Sequence, residues 1–325
     1  MLKTSPLMPP TARPKTVFFG SPDFAVPSLD RVAADTDLVA VVSQPDRPAG
    51  RGQELSAPAV KRRAQSLRAN LPILQPEKIR TPEFERELRA FEADLFIVVA
   101  YGRILPPALL AIPRRGPWNV HASLLPSLRG AAPIQWSVIN GDAEAGVSIM
   151  RMEEGLDTGP VVTSQATPIG DTETAGDLSL RLSHLGAELL GSVLPQLASG
   201  SAALSPQDES RFTLAPLLRK EDGRLDFSKP ARVVSARARG VDPWPGASAI
   251  LDDQVVKLFR PRCEPSGKGT DQPSGTVLAI DEGGVHVACG EGVIAFAEVQ
   301  LPGKKRLPAS VVASGRALAV GVRFV

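Results

Sequence analysis

An open, mostly parallel α/β sheet followed by a smaller all-β barrel domain is the fold class that three observations predict. Over the first two thirds of the chain, short β-branched runs alternate with amphipathic segments, as strands that cross over through helices do. The run DLFIVVA at 94–100 is apolar on both faces, which fits a strand buried inside a parallel sheet. Beyond residue 200 the composition shifts: GSAALSPQDESRF is small and polar, and glycine-punctuated short runs follow. Their spacing, roughly 8 to 12 residues, is that of a small β-barrel or sandwich.

In chain order, the first strand is TVFFG (16–20), and its exit FFGSPDF opens a helix over 24–34. That turn is Rossmann-like in position. It lacks the GxGxxG spacing, so strand-helix packing explains it better than a nicotinamide site. DLVAVVS (37–43), DLFIVVA (94–100), WNVHA (118–122), VSIMRM (147–152) and VVTSQATPI (161–169) supply the other strands. Helices are predicted over 57–68, 82–92, 131–140 and 174–199. The later runs SAILD, VVKLFRPR, GTVLAID, GVHVACG and VIAFAEVQL predict the OB-like barrel. The expected domains are an unordered extension at 1–14, a catalytic domain at 15–199, a linker at 200–212 and the β-barrel at 213–325.

Composition narrows the function classes. A chain of 325 residues exceeds one ordinary hydrophobic core, which predicts two domains. Its 43% hydrophobic and 22% charged residues are those of a soluble globular enzyme. No apolar run approaches the roughly 20 residues that span a bilayer, and the start, MLKTSPLMPPTARPK, has no continuous apolar core. The expected location is the cytoplasm, with no membrane partner. Cys263 and Cys289 are too few for a disulfide framework, and His286 with Cys289 lacks two further zinc ligands, so no metal is expected. A net charge of +2 neither demands nor excludes a polyanionic partner; local clusters decide that.

In an open sheet, ligands bind beyond the carboxyl ends of the strands. There the stretch PWNVHASLLPSLRG (117–130) places Asn119 and His121 two residues apart on one face of a strand. The loop MEEGLDTGP adds Asp157 after the following strand, and consecutive strands tend to be neighbours. Asn, His and Asp together form an acid/base kit. The amide can donate to a developing oxyanion, the imidazole can carry a proton near neutral pH, and the carboxylate can orient it. A structural reading competes: a packed histidine at a strand end, a turn aspartate bonding its own backbone, and a Ser123-to-Pro126 turn that only caps the next helix. Residue spacing leaves both open.

The segments FFGSPDFAVPSL, VVSQPDRPAGRGQ, VVAYGRILP, NVHASLLPSLRGAAPIQW and GVSIMRMEEGLDTGPV, in this order, resemble the folate-dependent formyltransferase family. The likeness runs from residue 16 to the end, with FSKPA, VDPWPGA and LPGKKRLP as a C-terminal echo. It implies that Asn119, His121 and Asp157 are catalytic, and that Ser123, Leu124, Leu125 and Pro126 form the folate-contacting turn. The implied reaction moves a formyl group from 10-formyltetrahydrofolate to the α-amine of methionine on initiator tRNA, with a monomeric enzyme and no metal. Such acyl transfer between two amines needs no covalent enzyme intermediate, and no serine or cysteine is placed beside a base as a nucleophile.

The loop SQPDRPAGRGQ is implied to be a tRNA-contacting insertion, with Arg51 its critical residue and Arg47 a lesser one. Pro45, Pro48, Gly50 and Gly52 are expected to prevent regular structure there. Lys304, Lys305 and Arg306 form a second candidate RNA contact on electrostatic grounds. Two departures stand out: Ala122 where the family commonly has glycine, and Glu54 in a loop that is often more basic. Two other functions stay in view, a formyltransferase for a nucleotide sugar or purine precursor and a non-catalytic RNA-binding module. The first gives no reason for the arginine loop, the second none for the Asn-His-Asp trio.

Overall fold

Seven strands form the main sheet of the computed structural model, in which residues 13–49, 54–264, 271–314 and 318–325 are described. From edge to edge they run Val161–Pro168, Glu144–Arg151, Pro117–His121, Leu95–Val99, Lys15–Gly20, Asp37–Val42 and Ile73–Leu74. The five from Pro117–His121 to Ile73–Leu74 pair in parallel. Glu144–Arg151 runs antiparallel to Pro117–His121, so His121 faces Ser148 and Asn119 faces Met150. The predicted mostly parallel sheet is therefore present, with a mixed edge.

The central strands are apolar on both faces because both faces are covered. Val17, Phe18, Phe19, Phe96 and Ile97 are wholly buried. On one side Phe19 and Phe96, with ring centres 5.0 Å apart, pack with Phe84 and Leu88 of the helix Pro82–Ala90 and with Tyr101 and Leu109. Each such side chain contributes about 1.5 to 3 kcal/mol by leaving water. That helix starts where predicted because Thr81 Oγ1 accepts the Phe84 N–H at 3.3 Å, an N-cap. At the first turn a Cβ on Gly20 would lie 2.8 Å from the Phe18 ring and 3.0 Å from the Val99 carbonyl oxygen. This glycine serves close packing.

Contacts gather the chain into two units. One holds the described residues up to Pro126 with Val147–Gln165 and Leu182–Ser210; the other holds Ser127–Gly146, Ala166–Arg181 and Arg211–Val325. Within the second, an antiparallel sheet is built from Ser248–Leu251, Gln254–Cys263, Val293–Gln300, Gly284–Ala288 and Val277–Asp281, with Leu307–Pro308 added beside Val293–Gln300. The terminal residues join its two edges. Val325 exchanges backbone hydrogen bonds with Ile250 at 2.9 Å, while Val322 and Phe324 bond Val277 and Gly275 at 2.8 and 2.9 Å. The sheet thereby closes on itself.

Helices accompany that sheet, which the all-β reading omitted. Ala231–Gly240 packs on Pro133–Asn140 so closely that a Cβ on Gly240 would meet the Ile139 side chain at 2.4 Å. A second difference concerns the proline- and glycine-rich loop. Its ends form a short antiparallel hairpin, Arg47–Ala49 with Glu54–Ser56, because a two-stranded ribbon tolerates Pro48 without a ladder N–H. Of the first 14 residues, expected to be unordered, 1–12 lie outside the described residues, as does Arg51.

Candidate active site

The strand Pro117–His121 delivers two side chains to one carboxylate. Asn119 Nδ2 lies 3.5 Å from Asp157 Oδ1, and His121 Nδ1 lies 3.6 Å from Asp157 Oδ2. Both contacts exceed ordinary hydrogen-bond length, so they orient electrostatically and have room to tighten around a substrate. His121 is 5% exposed and the Asp157 side chain 15% exposed. In so dry a setting electrostatic interactions are worth more than in water. With Nδ1 turned to Asp157, Nε2 lies on the opposite side of the ring.

Asp157 reaches this place through an unusual backbone. Its φ is 53°, the left-handed region, which aspartate tolerates better than most residues but at a cost of order 1 kcal/mol. The flanking glycines allow it. A Cβ on Gly159 would lie 1.9 Å from the Arg151 carbonyl oxygen, and one on Gly155 would lie 2.2 Å from Thr158 Oγ1. Arg151 N–H donates to the Pro160 carbonyl at 2.9 Å and closes the loop at its base. Gln207 then donates from Nε2 to the carbonyls of Asp157 and Gly159, both at 2.7 Å.

After His121 the chain makes the turn Ser123 to Pro126. Ser148, wholly buried on the adjacent strand, braces it: Leu125 N–H donates to Ser148 Oγ at 3.1 Å, and Ser148 Oγ donates to the Ser123 carbonyl at 2.7 Å. With its proton so used, Ser148 accepts from Ser164, whose hydroxyl is 2.7 Å away. Leu124, Leu125 and Pro126 are half-buried, so the turn presents aliphatic side chains beside backbone polar groups. Aliphatic side chains beside a few convergent polar groups are the kind of lining that small-molecule sites use.

The predicted trio is thus brought together, and the predicted turn adjoins it. Sequence reasoning missed Ser148 and Gln207. Ser148 left a signal, a hydroxyl on the wholly apolar run around it in GVSIM. Gln207 left none, because it lies in the small, polar stretch that reads as a linker.

The arginine loop springs from a braced root. Gln75 Nε2 donates to Asp46 Oδ1 at 2.7 Å and to the Gln44 carbonyl at 2.8 Å, and Lys61 Nζ lies 2.7 Å from Asp46 Oδ2. The hydrogen bond from Gln75 and then that from Lys61 hold the Asp46 carboxyl below its usual range. Arg47 is exposed, with Nη2 3.4 Å from Gln44 Oε1. In the other unit, Lys304 and Lys305 are exposed, whereas Arg306 is ion-paired with Glu298 and stacked 4.0 Å over the Phe259 ring. Among the described residues no cluster of three or more His, Cys, Asp or Glu could hold a metal ion. No described helix is long and apolar enough to cross a membrane.

Comparison with known proteins bears on this geometry. Residues 15–194 match the formyl transferase family model and residues 217–317 the model of the formyl transferase C-terminal domain. The chain is 46% identical over 308 residues to a methionyl-tRNA formyltransferase of Sorangium cellulosum, covering 95% of this chain and 98% of that one. It is 46% identical over 310 residues to the Myxococcus xanthus protein of the same name, covering 95% and 97%. Among solved structures, the sugar 3N-formyl transferase WlaRD superposes with a TM-score of 0.67 at 17% identity, over 91% of this chain and all of that one. HypX from Aquifex aeolicus, solved with tetrahydrofolic acid, gives 0.62 at 17% identity over 95% of this chain, which spans 48% of HypX. These two show a shared fold.

Proposed function

The chain belongs to the formyl transferase family, and on that premise we propose that it transfers a formyl group from 10-formyltetrahydrofolate to the α-amine of methionine on initiator tRNA. The product, N-formylmethionyl-tRNA, serves translation initiation in the cytoplasm. The observation that carries this reading is near full-length identity of 46% to methionyl-tRNA formyltransferases, joined to the convergence of Asn119, His121 and Asp157.

The residues divide the work by their chemistry. The folate supplies the formyl carbon, and the turn Ser123 to Pro126, braced by Ser148, holds the pterin. As the amine adds to that carbon, negative charge gathers on the formyl oxygen. The Asn119 amide and the His121 imidazolium donate to it, from positions fixed before reaction. Asp157 keeps His121 oriented toward the reacting atoms. The proton the amine loses returns to the folate nitrogen as it leaves, relayed by water held at Asp157. Arg51 and Arg47 contact the acceptor end of the tRNA, through the bidentate geometry that guanidinium groups offer phosphates and base edges. Lys304, Lys305 and Arg306 add a weaker electrostatic contact, with Arg306 the least available because Glu298 already neutralises it.

Mixing the purified protein with 10-formyltetrahydrofolate and charged initiator tRNA should yield formylmethionine. No product there, with product from an amino sugar nucleotide, would transfer the same site to a small-molecule acceptor.

A further inference from the structure

We propose that Gln207 is a positioning residue for the reaction: its amide holds the Asp157 loop in the one backbone conformation that aims the carboxylate at Asn119 and His121. The inference rests on the catalytic reading of Asp157 given above.

Three observations carry it. Asp157 sits at φ 53°, a conformation that relaxes unless its surroundings hold it. The Gln207 amide nitrogen has two hydrogens, and the carbonyls of Asp157 and Gly159 each lie 2.7 Å from it. Both donors are thus spent on the two sides of the bent peptide. The third observation is that Gln207 is itself anchored. Two residues earlier, Ser205 exchanges both backbone hydrogen bonds with Val161 at 2.9 Å, which joins the stretch to the strand that begins just after the loop. The residues that read as a linker therefore run beside the catalytic loop and clamp it.

The chemistry of the clamp is specific to an amide of this length. A carboxylate of equal size cannot donate and would set negative charge against two carbonyl oxygens. A methyl leaves both carbonyls to water and frees the loop to turn Asp157 away. Since a displacement near 1 Å at a catalytic group costs on the order of a hundredfold in rate, loss of the clamp should act on turnover rather than on binding.

The test uses the full chain with 10-formyltetrahydrofolate and charged initiator tRNA. Gln207→Glu and Gln207→Ala should lower kcat by about 10- to 100-fold while KM for both substrates stays within roughly twofold. The discriminating measurement is the same pair in an Asp157→Asn background. If Gln207 works through Asp157, its substitution there should lower kcat no further. Near-native kcat in Gln207→Glu, or an undiminished further loss in the Asp157→Asn background, would overturn the proposal. Should Gln207→Ala fail to fold, Gln207→Glu, which keeps the volume, decides alone. Native turnover in Asp157→Asn by itself is a separate failure, that of the carboxylate's role, and leaves the Asn-His-Asp reading to fall first.

Discussion

Two histidines of this chain face carboxylates, and they do so in opposite ways. His286, in the antiparallel sheet of the second unit, is gripped at both ring nitrogens: Nδ1 by Glu264 and Nε2 by Asp281, the latter at 2.9 Å. His121 meets a carboxylate at Nδ1, at 3.6 Å, with an asparagine beside it and the turn Ser123 to Pro126 following it. Burial by itself would lower the His286 pKa. The bonds to Asp281 and Glu264, and their charge, outweigh burial and hold it above the ordinary value. A ring clasped on two sides is a cross-link. The looser contact at His121, with Asn119 on the same carboxylate, is the one proposed to act on substrate, and the difference teaches that the length and company of a histidine-carboxylate contact matter more than its presence.

The sharpest way to break this contrast is to remove each imidazole. His121→Ala and Asn119→Ala should lower the chemical rate at least about a hundredfold with tRNA binding little changed, as loss of an acid/base group or oxyanion donor does. His286→Gln should leave the rate at its native value. Equal effects on turnover would erase the distinction. Next in size, Asp157→Asn keeps the shape of the carboxylate without its charge. Most activity should disappear while thermal unfolding stays close to native. Unfolding in place of slow turnover would return Asp157 to a turn aspartate.

A smaller effect is expected at the two arginines proposed to contact the tRNA. Arg51→Ala should weaken use of methionyl-tRNA by roughly 1 to 3 kcal/mol, the range of one good base-reading contact, and Arg47→Ala by less. Folate binding should be unmoved. If the lost contact is to phosphate, the salt dependence of tRNA affinity should become shallower by about one unit of slope. Kinetics toward tRNA identical to native would remove the recognition role.

The smallest expected effect belongs to the cross-link. Because the folded-state pKa of His286 is raised, its stabilising contribution is full below the ordinary histidine value of ~6.5 and is lost as pH rises through the raised value. The melting temperature should therefore fall by a few degrees over that window in the native chain. In His286→Gln the slope should flatten, and a slope unchanged by the substitution would assign it to other groups.

Legibility differed by element for physical reasons. The strand at 94–100 could be read because burial on both faces leaves a continuous apolar run, and the structure keeps Leu95–Val99 fully buried. The two-residue strand Ile73–Leu74 is too short to show a period. The hairpin at Arg47–Ala49 was hidden by prolines and glycines that do argue against a strand interior, yet not against a two-stranded ribbon. In the candidate site, the spacing of two put Asn119 and His121 on one strand face and the flanking glycines marked the Asp157 loop, but spacing left a structural reading equally open and the family resemblance favoured the trio.

By itself, the sequence determined local features: where the long strands and helices of the first two thirds lie, which glycines flank the Asp157 loop, and which polar residues share a strand face. Each follows from chemistry within a few residues, where period and steric bulk act directly. The tertiary structure decided the partners. That Ser148 faces His121 depends on the register between two strands 23 residues or more apart in sequence, and that Gln207 reaches the Asp157 and Gly159 carbonyls depends on Ser205 pairing with Val161. Such contacts join residues 48 and 50 positions apart for Gln207, a separation across which no periodicity in the sequence extends. They exist because buried carbonyls and hydroxyls must find hydrogen-bond partners wherever the folded chain brings them.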